Sequence, residues 1–426
     1  MRRLLSVALS FLLVSAAAHP AAADPSTAGG DKPLPGYTIV NPPLAPAVVD
    51  GRPAKVLQGV HSHAGYVIEV PPRWNGRLAL WAHGYRGEGK VLTVDAPPYG
   101  LRQRWLDEGY AWAASSYYSN SYDVRAGVTT TRELATLFGQ RVQRPKKVFL
   151  AGVSMGGHVI ARSLEQYPGF YAGALPMCGV VGDHELFDYF LSYHLVAQAL
   201  TGIRAYPLPP DYSTVVVPRI QQALKGHDDQ FRAIVASLSG GTRPGTEAAY
   251  AYWQNFLFGL VTTPTGDSLA ANPRQIATNT TTRYRPNSPV DVDAAVQRVR
   301  PANPVARYTP ALTEIPAVLG LPSAPVVSLH GIGDLFVPFA MEQDYRDDAA
   351  RFGRTHLLVQ RAIRTIDHCE FSPTEVGDAW GDLTAWVDRG KRPAGDDVRR
   401  TDDPRYGCRF TDRQATGGTR ALFPAC

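Results

Sequence analysis

The sequence predicts an α/β protein with a mostly parallel central sheet flanked by helices. Short apolar runs typical of buried strands alternate with amphipathic stretches typical of helices, which is the pattern of βαβ units. The alternation stops near residue 182 and resumes near residue 320, which indicates a large insertion within one core. The composition, 44% hydrophobic and 19% charged over 426 residues, is that of a globular protein able to bury such a core.

The core is predicted in two parts, residues 50–181 and residues 320–395. An alternating run at 66–70, which ends at two prolines, favours an early antiparallel strand. The other apolar runs predict buried strands, and the segments with helical periodicity between them predict helices. Strands are expected at 77–82, 109–115, 147–153, 173–177, 325–329 and 356–362, and helices at 128–142, 155–166, 339–352 and 373–387.

Residues 182–319 differ from the core in their pattern. Helical patches at 186–200 and 248–260 are joined by polar and proline-rich connections. We therefore expect a large, mainly helical cap inserted into the core. A C-terminal tail, residues 396–426, follows the last predicted helix.

The N-terminus has the layout of a secretory signal peptide. Arg2 and Arg3 precede an apolar run over residues 4–18, and small residues follow up to Ala23. The run is shorter than the roughly 20 residues that span a bilayer. We expect a signal peptide over residues 1–23, a secreted protein without a membrane partner, and an irregular arm over residues 24–49. The net charge of +5 is not concentrated in a basic run, so no nucleic-acid partner is expected.

A glycine-rich motif marks one junction between a predicted strand and a predicted helix. Residues 152–156 read Gly-Val-Ser-Met-Gly, which fits G-x-S-x-G, and Gly157 extends the motif. A sharp turn at such a junction exposes the serine hydroxyl at the edge of the sheet, and the glycines give the crowded turn room. Ser154 is therefore the candidate nucleophile.

A serine nucleophile needs a base, and the base needs an acid that orients it. Asp334 follows the predicted strand at 325–329, and His368 follows the predicted strand at 356–362. Both positions lie in loops at the carboxyl ends of strands, in the chain order Ser, Asp, His that this kind of sheet uses. We predict His368 as general base and Asp334 as its orienting acid. Asp367 ranks below Asp334, because it directly precedes His368 and is badly placed to reach the ring.

Acyl transfer also needs N–H donors aimed at the developing oxyanion. The backbone amides of Met155, directly after the candidate nucleophile, and Tyr85, in the loop after an early strand, are the predicted donors. His83 is expected to shape that loop, and His158 to pack beneath the Ser154 turn.

Other histidines lack this placement and are expected on the surface, in the cap or in packing roles. His61 and His63 could suggest a metal pair, but no cluster of further ligands accompanies them, so no metal is predicted. The remaining members of this group are His184, His194, His227 and His356.

The chain from residue 66 to residue 387 resembles the α/β-hydrolase superfamily. The resemblance is carried by His83-Gly84 and by the segments 152–157, 330–338 and 367–369. The first three also look like those of secreted esterases and prolyl-oligopeptidase-like peptidases. The cysteine after His368 is similar to tannase and feruloyl-esterase-like enzymes, although those also carry a cysteine beside the nucleophile. The resemblance implies an α/β-hydrolase fold and hydrolysis of esters, or less often amides, without a metal or an organic cofactor.

Export makes disulfide bonds plausible for the four cysteines. Four cysteines allow three pairings, and the sequence alone leaves the choice open. The preferred set joins Cys178 to Cys369, which ties the end of a strand to the loop of His368. It also joins Cys408 to Cys426, which closes a short C-terminal loop.

These observations predict a secreted serine hydrolase that cleaves a small-molecule or oligomeric carboxylic ester through an acyl-enzyme. Two other hypotheses remain open, a serine peptidase of the prolyl-oligopeptidase-like type and a non-catalytic binding protein on the same fold. The acyl and alcohol groups of the substrate and the oligomeric state stay open as well. Aromatic residues of the cap either line a substrate pocket or form the cap's own core, and they include Tyr189, Phe190, Tyr193, Tyr250, Tyr252, Trp253 and Phe256.

Overall fold

An eight-stranded sheet organises the part of the chain that the computed structural model describes, which is residues 30–260, 276–424 and 426. The predicted signal peptide, residues 1–23, and the start of the predicted arm lie outside these residues. In chain order the strands are β1 Thr38–Val40, β2 Val48–Val49, β3 Arg52–Pro53, β4 Lys55–His61, β5 Ala64–Val70, β6 Arg77–Ala82, β7 Val91–Thr93, β8 Ala111–Ser115, β9 Lys147–Val153, β10 Gly173–Met177, β11 Val326–Gly331 and β12 Leu358–Ile363.

The strands of the large sheet follow the order β12-β11-β10-β9-β6-β8-β5-β4. Strand β5 is antiparallel to both of its neighbours, β4 and β8. All other neighbouring strands of this sheet are parallel. The carboxyl ends of β9, β11 and β12 therefore meet at one edge of the sheet.

Helices flank the sheet and fill the long connection between β10 and β11. In chain order they are α1 Leu101–Asp107, α2 Val124–Arg141, α3 Met155–Gln166, α4 Glu185–Thr201, α5 Val217–Leu224, α6 Asp228–Leu238, α7 Thr246–Gly259, α8 Val292–Ala295, α9 Pro304–Tyr308, α10 Ala340–Arg351 and α11 Pro373–Arg389. None of the helices within the described residues is both long enough and apolar enough to cross a lipid bilayer.

Both faces of the sheet are covered, and β6 shows how the sequence achieves this. Leu78, Leu80 and Ala82 pack into the cluster that includes α2 and α3. Ala79 and Trp81 point the other way, into the cluster that includes α1 and α11. Side chains of a strand alternate between faces, so a strand that is buried on both faces must be apolar throughout. The predicted mostly parallel sheet flanked by helices is confirmed.

Several predicted elements differ from the structure in informative ways. The predicted arm is not irregular throughout, because it contains β1 and β2, and β1 pairs in parallel with β7. Strand β4, at the edge of the sheet, was not predicted, since most of its residues are only half-buried and do not alternate clearly.

The insertion is helical between residues 185 and 259, whereas the described residues 276–319 contain only two short helices. Side chains replace the helical hydrogen-bond ladder in this second part. The buried amide of Asn279 donates to the carbonyl of Gln297 and accepts from the backbone N–H of Val299, and Arg298 donates to the carbonyl of Asn279. The proline-rich sequence favours such an irregular backbone, because proline has no N–H to donate.

Acidic side chains gather where the insertion leaves the core. Asp183 accepts hydrogen bonds from the backbone N–H groups of His184 and Val318, and so joins the two ends of the insertion. Burial raises the pKa of Asp183 to about 7. Burial and the nearby charge of Glu185 raise the pKa of Asp344 to about 8. These groups hold their protons in the folded protein at pH values where an unfolded chain has released them.

This arrangement predicts that the contribution of Asp183 and Asp344 to the free energy of unfolding falls as the pH rises from about 4, the ordinary aspartate pKa, towards 8, because the folded state holds their protons in that range. Buried histidines with a lowered pKa, such as His83 and His158, contribute with the opposite sign below about pH 6.5, so the prediction concerns a difference between variants. Asp344→Asn replaces one carboxyl whose ionisation the folded state disfavours with a neutral amide. We expect the melting temperature of the variant, relative to the unmodified protein, to increase between pH 4 and pH 8 and to be the higher of the two at pH 8. The control is Asp378→Asn at an exposed position of α11. A lower melting temperature for Asp344→Asn at pH 8 would contradict the interpretation.

Candidate active site

Ser154 occupies a sharp turn between β9 and α3. Its backbone dihedral angles, φ 56° and ψ −124°, are strained for a residue with a side chain. Two hydrogen bonds hold the turn, from Ser154 N–H to the carbonyl of Met177 (3.0 Å) and from Val180 N–H to the carbonyl of Ser154 (3.1 Å). The strand before the turn and the helix after it have the bounds that the sequence predicts.

The glycines of the motif are needed because the turn lies directly against β6. A Cβ atom at Gly152 or at Gly156 would lie less than 3.0 Å from the carbonyl oxygen of Ala82. A Cβ at Gly157 would be equally close to the backbone of Gly179. In each case the obstacle is backbone, which cannot move aside as a flexible side chain can.

Gly156→Ala is therefore expected to lower the free energy of unfolding by about 2 to 3 kcal/mol, because β6 and the turn must separate to admit the methyl group. Gly139→Ala in α2 is the matched control, since its Cβ would meet nothing closer than 3.8 Å. Alanine is the better helix former, so the control should be neutral or more stable. Denaturant unfolding of both variants measures the difference. Equal stability of the two would refute the proposed close packing.

Asp334 and His368 are hydrogen-bonded to each other at the same edge of the sheet. Asp334 is fully buried, and its Oδ1 accepts from the backbone N–H groups of Phe336 (2.9 Å) and Val337 (3.0 Å). Its Oδ2 lies 2.6 Å from Nδ1 of His368. Because Nδ1 donates to the carboxylate, Nε2 is the nitrogen that can accept a proton in the neutral ring. That Nε2 atom is enclosed and has no hydrogen-bond partner in the structure.

Ser154 and His368 line one cleft with a volume of about 370 Å³. No hydrogen bond joins the hydroxyl of Ser154 to Nε2 of His368 in the described structure. The cleft is lined by Trp81, His83, Gly84, Tyr85, Arg86, Asp95, Ala96, Pro98, Val153, Ser154, Phe336, His368 and Cys369.

A disulfide bond fixes the loop of His368 to the end of β10. Cys178 and Cys369 are joined, with their Cα atoms 5.2 Å apart, which is the preferred pairing from the sequence. The loop is also held by a hydrogen bond from the hydroxyl of Tyr99 to the carbonyl of Cys369 (2.7 Å). Asp367 accepts from the backbone N–H of His368 (2.8 Å), so its carboxylate shapes the loop.

The second preferred pair is present as well, Cys408 with Cys426, with Cα atoms 5.4 Å apart. The two sulfurs of the first pair lie within 4.8 Å of a ring nitrogen of His368. Sulfurs joined in a disulfide offer no thiolate to a metal ion, so this group does not form a metal site.

His330 and Glu342 form a buried pair beside the loop of Asp334. The sequence did not predict this pair as part of the site. Nε2 of His330 lies 2.8 Å from the carbonyl oxygen of Val337, and Nδ1 lies 3.3 Å from Glu342. Burial lowers the pKa of His330, but the hydrogen bond and charge of Glu342 outweigh it, so the pKa is raised. His330 thus braces the segment whose amides bind Asp334.

The predicted oxyanion donors lie on the two segments that meet at Ser154. Met155 is the first residue of α3, so its N–H has no partner one turn earlier in the helix. Tyr85 follows Gly84, where an added Cβ would lie 3.0 Å from Cβ of Ser154. The ring of His83 stacks on Tyr117 at 3.8 Å. Burial and the charge of Arg86 lower the pKa of His83 to about 3, which fits a neutral residue that shapes the loop.

His158 lies behind the turn and is fully buried. Its Nε2 is 2.7 Å from the carbonyl of Pro316, and its Nδ1 is 3.1 Å from the hydroxyl of Tyr122. Burial lowers its pKa to about 3. His158 therefore connects α3 to the end of the insertion as a neutral packing residue.

Phe336 is a cleft residue that the sequence did not single out. Its ring contacts the imidazole of His368 edge to face, with centroids 4.9 Å apart, and it also contacts the ring of Phe256 of α7 edge to face, with centroids 5.0 Å apart. Most aromatics of the predicted set are buried in the same hydrophobic cluster that covers one face of the sheet, and only Tyr252 and Phe256 of the set are exposed, at 45% and 43%. The sequence signal that could have identified Phe336 as a cleft residue is its position two residues after Asp334.

Comparisons with known proteins give distant similarities. No protein-family model matches the chain. It is 21% identical to an o-phthalyl amidase from Xanthobacter agilis, over 78% of this chain and 86% of that protein. Among solved structures it is similar to an esterase from Aspergillus oryzae (15% identity, TM-score 0.40, 79% and 80% of the two chains). It is also similar to feruloyl esterase B from Aspergillus oryzae (14% identity, TM-score 0.42, 83% and 86%).

The order and direction of the strands identify the fold. The sheet has eight mostly parallel strands with one inner antiparallel strand, a sharp turn with Ser154 after β9, and Asp334 and His368 after β11 and β12. The chain thus has the α/β-hydrolase fold that its sequence predicts.

Proposed function

We propose that this protein is a secreted serine hydrolase that cleaves carboxylic esters through the triad Ser154, His368 and Asp334. The observation that carries the proposal is the 2.6 Å hydrogen bond between Asp334 and Nδ1 of His368, which leaves Nε2 as the basic atom in a cleft that Ser154 also lines. An orienting acid, a correctly set tautomer and a hydroxyl on a strained turn are what nucleophilic catalysis by serine requires.

The reaction follows from these positions. His368 Nε2 accepts the hydroxyl proton of Ser154 as the oxygen attacks the ester carbonyl. The N–H groups of Met155 and Tyr85 stabilise the oxyanion, and each such donor is worth about 3 kcal/mol of barrier. His368 then gives its proton to the departing alcohol, and water releases the acid from Ser154 in the reverse sequence.

Secretion is part of the proposal. It rests on the signal-peptide pattern of residues 1–23 and on two disulfide pairs among the described residues. Disulfides persist in oxidising compartments and are rare in the cytosol. Analysis of the N-terminus of the exported protein tests this part, and retention of residues 1–23 would contradict it.

Substitutions of Asp334 and Asp367, the two aspartates near His368, should differ in their effect on activity. Asn at position 334 can still accept from the backbone through Oδ1, but its amide donates to Nδ1 of His368 and enforces the wrong tautomer. We expect Asp334→Asn to lower kcat/KM for p-nitrophenyl esters by about 10³- to 10⁴-fold. Asp367→Asn keeps an oxygen that can accept from the backbone and should retain most activity.

Labelling with a fluorophosphonate probe tests the nucleophile directly, and Ser154→Ala should abolish both labelling and ester hydrolysis. Activity that survives Ser154→Ala, or an equal loss in the two aspartate variants, would refute the triad. Absence of any adduct on Ser154 in the unmodified protein would instead favour a non-catalytic binding protein.

The Cys178–Cys369 bond is predicted to support catalysis, because it holds the loop that places His368. Replacing both cysteines by alanine should lower the rate of fluorophosphonate labelling by about tenfold, since small misplacements of a base are costly. The bond between Cys408 and Cys426 closes a tail whose Thr419 hydroxyl accepts from the backbone N–H groups of Ile366 and Asp367, so the double alanine variant there should also slow labelling. The control for the first variant is its melting temperature, which shows that it is folded under the assay conditions. A folded variant that labels at the rate of the unmodified protein would show that the Cys178–Cys369 bond has no role in placing the base.

Amide hydrolysis is the second candidate activity, and the similarity to a protein named as an o-phthalyl amidase favours it. The same triad can cleave either bond, so the geometry alone does not separate them. Rates on p-nitrophenyl esters, on aryl amides and on aminoacyl p-nitroanilides distinguish an esterase, an amidase and a prolyl-oligopeptidase-like peptidase. Faster turnover of an amide than of the matching ester would overturn the ranking.

A further inference from the structure

The cleft contains a cation that the proposed reaction does not use. Among the described residues that line the cleft, Arg86 alone carries a permanent positive charge. It directly follows Tyr85, the proposed oxyanion donor. Arg86 therefore borders the same cleft as Ser154 and His368.

Arg86 is held firmly on one side. One of its terminal nitrogens donates to the carbonyl and to the hydroxyl of Thr93, the latter at 3.0 Å. Its side chain is only 19% exposed. Burial lowers the pKa of Arg86, which means that the charged guanidinium is poorly hydrated and depends on an anionic partner. The hydrogen bonds to Thr93 fix the direction in which the rest of the fork points.

The present partner of Arg86 is Asp95, which is held much less firmly. The second terminal nitrogen of Arg86 donates to Asp95, and this is the only hydrogen bond that the Asp95 carboxylate makes within the described part of the chain. The Asp95 side chain is 65% exposed and also lines the cleft. A carboxylate with one bond and free access to water can turn outwards, and another carboxylate can then take its place.

We propose that Arg86 selects substrates that carry a carboxylate near the scissile carbonyl, and that a substrate carboxylate takes the place of Asp95 on Arg86. The inference rests on the proposed hydrolase function. It adds a substrate class, acids that are linked through an ester to a second group and keep one free carboxylate. A guanidinium that is fixed by Thr93 on one side and paired with the exposed Asp95 on the other can exchange Asp95 for another carboxylate through charge-assisted hydrogen bonds.

The test compares ester pairs that differ in one charge. In the first pair, mono-4-nitrophenyl adipate carries a carboxylate on the acyl part, and its methyl ester is the neutral partner. In the second pair, 4-acetoxybenzoate carries it on the alcohol part, and 4-acetoxybenzamide is neutral. The measured quantity is the ratio of kcat/KM, charged over neutral, with the buffer-only rate subtracted. We expect a ratio of about ten or more in at least one pair, decreasing as salt screens the attraction.

Substitutions of Arg86 and Asp95 test whether these two residues cause the preference for charged esters. Arg86→Gln should reduce the ratio by about tenfold or more, and Arg86→Lys should restore part of it, since it keeps the charge without the fork. Asp95→Asn should raise the ratio, because it removes the competing carboxylate. The control is Arg73→Gln, which breaks an exposed ion pair with Asp50 outside the cleft and should leave the ratio unchanged.

A residue that merely braced its loop would change the charged and neutral rates alike and leave the ratio at its original value. No charge preference in the unmodified protein, or a preference that survives Arg86→Gln, overturns the inference. Fluorophosphonate labelling of Ser154 and turnover of the neutral esters report separately on the hydrolase function. Their presence without a charge preference refutes only the role of Arg86, whereas their absence refutes both.

Discussion

The buried carboxylate of Asp334 is the constraint on which the site depends. A charged group with no exposed surface must be fully hydrogen-bonded, because an unpaired buried charge is very unfavourable. Two backbone amides and one imidazole meet that requirement, and each comes from a segment that is itself held in place. The amides belong to the segment braced by His330, and the imidazole belongs to a loop tied by a disulfide bond. The hydrogen bonds of one carboxylate thus join the two loops that follow β11 and β12.

The residues of the candidate site could be predicted because each follows from a local rule. The strained turn needs its glycines, and the loops after β11 and β12 follow apolar runs that are easy to recognise. Parallel strands bring their carboxyl ends together, so the sequence order of Ser154, Asp334 and His368 already implied a common edge. The hydrogen bond that Nδ1 of His368 donates to Asp334 could not be read from the sequence, nor could the absence of one between Ser154 and His368 among the described residues.

What could not be predicted depends on contacts between distant segments. Edge strand β4 has no clear alternation, since its two faces are almost equally half-buried. The backbone of residues 276–319 is organised by Asn279 and Arg298, whose partners lie 16 to 20 residues away in sequence. A role for Arg86 and Asp95 in substrate binding can be inferred only once the structure shows them in the same cleft as Ser154. In a linear sequence they are an ordinary basic and an ordinary acidic residue.

The hydrogen bonds by which Asp183 joins the two ends of the insertion bear on how the fold can evolve. The chain leaves the sheet after β10 and returns to β11, its neighbour, and the carboxylate of Asp183 holds the exit point against Val318 near the return point. The free-energy cost of closing a loop rises only slowly with its length. Segments of quite different size could therefore be exchanged between these two points during evolution. The sheet and loops that carry Ser154, Asp334 and His368 would keep their structure while the insertion diversified in length and sequence.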